Sequence, residues 1–490
     1  MTKKQNRREF VQSTAALGIG AWVAGGVSLK PSISALEEIR FACIGVGGKG
    51  KSDSTNAGND GKVVAMCDID DETLGTKKGE FGDAKTYNDF RKMFDEMGDK
   101  FDAVTVSTPD HTHAVIALRA MREGKHVYCQ KPLSHSIEES RMMGNVAKES
   151  GVITQMGNQG TASSNLRESA ALIRKGIIGD VSEVHVWTNR PVWPQSFGLK
   201  VQESPKAGQE DEWNARRKMV HWDEWIGPAK KRPYSPEIHD FKWRGFWDFG
   251  TGALGDMACH TLNMSYMALD LKFPTSVVAE AEKHDGNCYP AGSKIVFEFP
   301  ELNGRPALKM VWYDGTMKPD EAMKADLPKY KDDKGRERHY TSAALLIGDK
   351  GKYYSPGDYG GDARDTGLII DGEFTRQRTI TRPVKEGQES PFSEFKNIEF
   401  QKPARSHFHE FAEAIRGNGK TVSEFVKYSG PLSETVLLGN LAVWSGKKID
   451  WNAKEMIVKG EASEDKSTQK LVRHDYHNGY TIHEGAKATG

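Results

Sequence analysis

Phe41-Ala-Cys-Ile-Gly-Val-Gly-Gly-Lys-Gly50 is the stretch on which the reading of this 490-residue chain turns. A strand-type apolar run from Phe41 to Ile44 breaks into glycines at Gly45, Gly47 and Gly50, with Gly48 between them, which is the G-x-G-x-x-G spacing. Each glycine has a physical job. Gly45 permits a tight strand-to-helix turn, Gly47 lets backbone approach a pyrophosphate, and Gly50 lets the helix pack close to the strand. Phosphate would then sit on the free N–H groups at the start of the following helix. A second strand-type run, Lys62-Val-Val-Ala-Met-Cys-Asp68, ends in an acid 23 positions after Gly45, near the roughly 20 expected for a ribose-binding carboxylate. An acid at that point repels a 2′-phosphate, so NAD(H) is expected rather than NADP(H). No arginine follows closely to reverse this; Asp70 and Asp71 add negative charge.

Outward from this turn, Phe41 to about Met156 alternates strand-like and helix-like segments, the pattern of βαβ units around a parallel sheet. Strands are expected at Asp102 to Ser107, His126 to Gln130 and Val152 to Met156, with helices at about His111 to Gly124 and Ser136 to Ser150. Binding residues of such sheets belong at the carboxyl ends of strands. Asp68, Thr108 to His113, Gln130-Lys131-Pro132 and Asn158-Gln159 all fall there, which makes Thr108, Pro109, His113, Lys131 and Gln159 candidates beside Asp68. After Gly160 alternating runs at Ser182 to Thr188, Ser276 to Ala281, Lys294 to Phe299 and Ala307 to Trp312 predict a second domain on a mostly antiparallel sheet. The fold class is therefore α/β: a Rossmann parallel-sheet domain over residues 36–160 and an α/β domain with a large open sheet over 161–452. A polar tail, 453–490, is expected to wrap the surface or a partner subunit.

Lys plus Arg equals Asp plus Glu at 68 each, so no global field attracts nucleic acid. No run past the N-terminus approaches the roughly 20 apolar residues of a membrane span. At the front, Asn6-Arg7-Arg8-Glu9-Phe10-Val11 is a twin-arginine pattern followed by an Ala/Gly-rich run from Ala15 to Leu29. Residues 1–35 are an address rather than fold, and predict export to the periplasm, either cleaved or kept as an anchor. Twin-arginine export moves proteins after folding, often with cofactor already inside, which fits a nucleotide-binding protein bound for a compartment without free nucleotide. The five cysteines, Cys43, Cys67, Cys129, Cys259 and Cys288, are odd in number and scattered, and read as buried apolar side chains.

Gly250-Thr-Gly-Ala-Leu-Gly-Asp256-Met-Ala-Cys-His260 enters a helix from a glycine turn, and its Asp256 and His260, four apart, share a helix face. A carboxylate beside an imidazole can set its tautomer and basicity for proton transfer; a surface pair, or a capping Asp with a packed His, fits the spacing too. With Thr108-Pro109-Asp110-x-x-His113 and Gly124-Lys-His-Val-Tyr-Cys-Gln-Lys131-Pro132, this segment resembles the glucose-fructose oxidoreductase and inositol dehydrogenase family, Gfo/Idh/MocA, in the right order over nearly all the chain after residue 36. The resemblance implies NAD(P)-dependent oxidation or reduction of a sugar or cyclitol carbon, Lys131 near the reacting hydroxyl, Asp256 and His260 as the acid-base pair, and a homo-oligomer, dimer or tetramer. Gln130 departs from the family's Glu-Lys-Pro and removes a carboxylate beside Lys131. Relatives that cleave glycosides with no net redox change, and others that only bind, give two alternatives. Among the tryptophans, Trp243 with Arg244 is the first choice for sugar contact. The spacings of His221, His239, His407 and His409 match no closed metal site, so no metal is expected.

Overall fold

β1 (Arg40–Ile44) and β4 (Ala103–Val106) are buried almost throughout, as strands covered on both faces must be, and they lie side by side at the middle of a six-stranded parallel sheet. Its other strands are β2 (Lys62–Cys67), β3 (Lys85–Tyr87), β5 (His126–Cys129) and β6 (Thr154–Met156), in the order β3-β2-β1-β4-β5-β6. Strand order reverses between β1 and β4, which opens a crevice at their carboxyl ends. The computed structural model describes residues 38–360, 364–382 and 390–483, which belong to one compact unit beginning at Glu38. The twin-arginine segment lies outside the described residues.

The second sheet has ten strands. Chain order supplies β7 (Val181–Trp187), β8 (Ser276–Ala281), β9 (Gly292–Phe299) and β10 (Leu308–Gly315). A small hairpin, β11 (Lys329–Lys331) and β12 (Glu337–His339), stands apart from it. Then come β13 (Ala343–Gly348), β14 (Gly351–Pro356), β15 (Gly367–Ile370), β16 (Glu373–Arg376), β17 (Ile449–Asn452) and β18 (Ile457–Lys459). The order is β16-β15-β14-β13-β7-β10-β9-β8-β17-β18, antiparallel except where β7 meets β10. On one face Phe297 and Trp312 join Leu254 and Leu438 in a core that runs unbroken into the first domain through Val104 and Leu118. On the other face Trp187, Val311, Tyr313, Leu345, Tyr354 and Ile369 are covered by Leu327, Met323 and Tyr340, so the chain's own segment 316–342 caps half of the sheet. Among the described residues no helix is long and apolar enough to cross a membrane.

Two segments return to the first domain. The tryptophan-rich stretch does so through a bridge of Val220 with Asp70 and a bond from His221 N to Ile69 O at 2.8 Å. Within it Trp222 and Trp225 stack at 4.6 Å and pack with Ile238, Phe246 and Phe249 as core. As far as residue 483 the tail docks on the rest of the chain. Tyr476 donates to Glu139 at 2.8 Å, Arg122 donates to the Ile482 carbonyl at 2.7 Å, and His477 N donates to Pro228 O at 3.0 Å. All five cysteines are buried and free.

Candidate active site

The nucleotide half is built by the glycine turn. Gly45 takes φ +75°, and a Cβ there would stand 2.7 Å from the Ser107 backbone, so β1 turns against the end of β4 with no room for a side chain. At Gly50 a Cβ would meet the Gly45 carbonyl oxygen at 1.9 Å. The helix that follows, α1 (Gly48–Asp60), starts from Gly47 with no side chain capping it, so its first amides are free for an anion. Asp68 lies alongside: Oδ2 accepts from Val46 N at 2.8 Å and Gly47 N at 3.3 Å, and Oδ1 accepts from Asp70 N at 3.1 Å. Burial pushes its carboxyl up against these bonds, which favour the charged form.

Gly45, Gly47, Gly48, Asp68, Thr108, Pro109, Lys131 and Gln159 all line one cleft of about 790 Å³, and so do Trp243, Arg244, Asp256 and His260. The Gln159 Oε1 is buried there with no partner. His113 does not reach the cleft. It lies in the buried first turn of α2 (Asp110–Arg122), and its ring nitrogens lie 2.9 Å from the carbonyls of Pro132 and Thr108, so it ties two loops of the site together from behind. Of the tryptophans, Trp193, Trp225 and Trp243 line the cleft, while Trp187 and Trp247 are buried away from it.

Residues far apart in sequence close the nucleotide half. Arg216, on α3 (Glu210–Met219), makes a two-pronged ion pair with Asp70 and approaches Asp240 at 3.7 Å. His239 also faces this group, and the guanidinium already supplies the cation that Asp70, His239 and Asp240 could otherwise gather. Tyr480 of the tail lines the cleft, with the Arg91 guanidinium 4.8 Å from its ring.

At the inner end, Lys131 donates to Asp256 Oδ1 at 2.7 Å and to the Asp256 carbonyl at 2.8 Å. Asp256 and His260 lie on α4 (Gly252–Thr261), but they are not hydrogen-bonded as the spacing suggested. The carboxylate is taken by Lys131 and by Arg244 Nε at 3.3 Å, while His260 Nδ1 is buried without a partner and the ring meets Tyr359 edge-on at 4.7 Å. Burial pushes the Asp256 carboxyl up, but Lys131 and Arg244 outweigh it and hold it at about 2. Burial, with Lys131 adding to it, drives His260 well below its usual range, so the imidazole is neutral. Asp110, at the start of α2, accepts from Thr251 at 2.6 Å and is pushed up to about 7 by burial.

Gln130 is directed away from Lys131. Its Nε2 donates at 2.7 Å to Asp53 on α1, a fully buried acid that also accepts from Ser107 at 2.9 Å and pairs with Lys49. A glutamate would set two carboxylates together there, and Asp256 supplies the carboxylate that Lys131 needs.

Two family models match the chain, one described as an oxidoreductase family with an NAD-binding Rossmann fold, over residues 39–158, and one as its C-terminal alpha/beta domain, over residues 181–303. The chain belongs to the Gfo/Idh/MocA family. Its first domain is thus the family's NAD-binding domain. A levoglucosan dehydrogenase of Pseudarthrobacter phenanthrenivorans is 27% identical over 28% of this chain and 35% of that protein. A myo-inositol 2-dehydrogenase of Thermotoga maritima is 26% identical over 32% of this chain and 48% of that one. The chain therefore spans less than half the length of these curated relatives. The WlbA dehydrogenase of Bordetella pertussis, solved with NADH and UDP-GlcNAcA, superposes with a TM-score of 0.54 at 17% identity, covering 85% of this chain and 99% of that one, a likeness of fold. In this Gfo/Idh/MocA chain, Asp110, Arg190, Arg216, Tyr359 and Tyr480 line the cleft without having been singled out from sequence. Asp110 sat inside a quoted motif and Arg190 just past β7; the others carry no local signal.

Proposed function

We propose that the chain is an exported, NAD-dependent oxidoreductase acting on a hydroxyl or carbonyl carbon of a sugar, glycoside or polyol. The observation that carries this reading is the meeting of Lys131, Asp256 and His260 at one end of a cleft whose other end is the glycine turn. The residues fit the cofactor. An uncapped helix start faces phosphate, Gly50 has no space for a side chain, Asp68 lines the ribose end, and the Gln159 Oε1 is buried without a partner. When bound, NAD supplies the hydride acceptor or donor. The chain's own residues then handle the proton. Lys131, fixed by Asp256, donates a hydrogen bond to the substrate oxygen, and His260, neutral and unpartnered at Nδ1, takes the hydroxyl proton or returns it. His260→Ala should leave NAD binding nearly intact and lower turnover by a factor of about 10² or more. Equal turnover in that variant would remove His260 from the mechanism.

The closure of the cleft by Arg216 and Tyr480 favours a cofactor that stays bound, which suits an exported enzyme with no free nucleotide around it. Such an enzyme must return its hydride within each cycle, to a second sugar or to the same substrate. The second course is redox-neutral glycoside cleavage, and a p-nitrophenyl glycoside panel separates the two. Phenolate released without added NAD supports cleavage; its absence across the panel, with sugars reducing the bound nucleotide, supports the dehydrogenase. A chain that binds sugar and nucleotide yet does neither would be a sensor. Self-association into a dimer or tetramer is part of the proposal. It would use surface other than the half of the sheet that residues 316–342 cap, and the mass of the native protein tests it. Cell fractionation with and without Arg7→Lys and Arg8→Lys tests export.

A further inference from the structure

Three cationic side chains crowd one carboxylate at the inner end of the cleft. Lys131 Nζ is 2.7 Å from Asp256 Oδ1, Arg244 Nε is 3.3 Å from the same oxygen, and Arg190 Nε is 3.8 Å from Oδ2. Among the described residues the one further acid on Arg190 is Asp358, 3.6 Å from Nη2. Both Arg190 distances exceed a hydrogen bond, so those two donors are held near acids without being satisfied by them. Its Nη1 bonds the Asn189 side chain.

Arg244 is fixed differently. Its guanidinium lies 4.2 Å from the Trp243 ring centre and 4.7 Å from that of Phe241, and Nη1 donates to the Phe241 carbonyl at 3.1 Å. Among the described residues its Nη2 has no hydrogen-bond partner. Stacking of this kind orients the planar fork in advance of any ligand.

The local charge does not balance. Among the described residues three cations face Asp256 and Asp358, and a third acid of the inner cleft, Asp110, is only partly charged at neutral pH because burial pushes it up to about 7. An oxidised nicotinamide would bring one more positive charge. A neutral sugar that expelled water from this end would leave the excess uncompensated, which is costly in a buried site.

We propose that the substrate is an acidic sugar of the uronate class, its carboxylate held by Arg190 and Arg244 while the reacting carbon lies beside Lys131 and His260. A carboxylate is favoured over a phosphate ester because its single charge matches the excess of one cation over Asp256 and Asp358, where a phosphate would bring nearly two. The placing of the reacting carbon rests on the oxidoreductase reading above; the acidic-group site does not.

Calorimetric titration of the NAD-loaded protein with matched pairs, D-glucuronate with D-glucose, D-galacturonate with D-galactose, and D-mannuronate with D-mannose, tests it directly. In at least one pair the uronate should bind about tenfold tighter or more, with an affinity that falls as salt rises. Arg190→Met should lower the uronate-to-sugar ratio by about tenfold. The salt dependence is read on the unmodified protein and stands even if a variant fails to fold. The proposal is overturned if no uronate outbinds its neutral partner, if the preference survives both Arg190→Met and Arg244→Met, or if a sugar sulfate outbinds every uronate. Absorbance at 340 nm, followed in the same mixtures, separates the two readings. Selective uronate binding with no nicotinamide reduction would keep the acidic-sugar site and remove the oxidoreductase reading. Reduction by neutral sugars alone would do the reverse.

Discussion

Asp53 is the residue on which the glycine turn, β4 and the Lys131 loop meet, because it receives Lys49, Ser107 and Gln130 while fully buried. Buried carboxylates tolerate donors and repel other carboxylates. Gln130→Glu should therefore destabilise the protein by about 1–3 kcal/mol, seen as a lower denaturation midpoint, and adding Asp53→Asn should restore most of it. A Gln130→Glu protein as stable as the parent would contradict this account of the glutamine. Sequence showed that Gln130 departs from a motif but not why, since its partner lies 77 positions away. The same limit applied to Asp256 and His260. Their helical spacing was legible, yet Lys131, 125 positions from Asp256, decides which partner the carboxylate takes.

At the scale of elements, α3 from the middle of the sequence and the tail from its end close the nucleotide half. Asn478 donates to the carbonyls of Gly227 and Ala229 at 2.8 and 2.9 Å, which joins the tail to the tryptophan-rich segment. Removing either side of the closure should speed release of nucleotide without touching the glycine turn. We expect Arg216→Ala and Tyr480→Ala each to raise the NADH dissociation rate by about tenfold, read by stopped-flow displacement. Unchanged rates in both would show that these groups border the cleft without retaining its ligand. The strands from Phe41 to Met156 were legible because a parallel sheet buried on both faces reads as apolar runs between turns. Segment 316–342 was not, because it is polar in composition and only a few side chains, Leu327 among them, cover the sheet.

Across the whole molecule, many buried imidazoles set the response to acid. Burial lowers His111 and His407 to about 3 and His474 to about 4, and takes His135 and His260 well below the usual range. An unfolded histidine titrates near 6.5. Each of these groups is depressed in the folded state, so the unfolded chain binds more protons once pH drops below about 6.5, and the stability they contribute above that pH is lost as pH falls towards 4. Denaturant midpoints should decline steadily from pH 7 to pH 4.5, with uptake of about two or more protons on unfolding at pH 5. A flat profile would mean that these histidines are already solvated. Fold class and the placement of the strand-end residues were legible as local patterns; the enclosure of the site depends on contacts between segments 100 or more positions apart, such as Arg216 on Asp70, and no local pattern carries those. The central claim is that one cleft holds NAD on the glycine turn and presents it to Lys131, Asp256 and His260. A crystal structure of the protein with NADH tests it most directly. The account predicts pyrophosphate on the amides at the start of α1, ribose hydroxyls on Asp68, and the nicotinamide ring beside Lys131 and His260. Nucleotide bound elsewhere, or a nicotinamide turned away from those side chains, would contradict it.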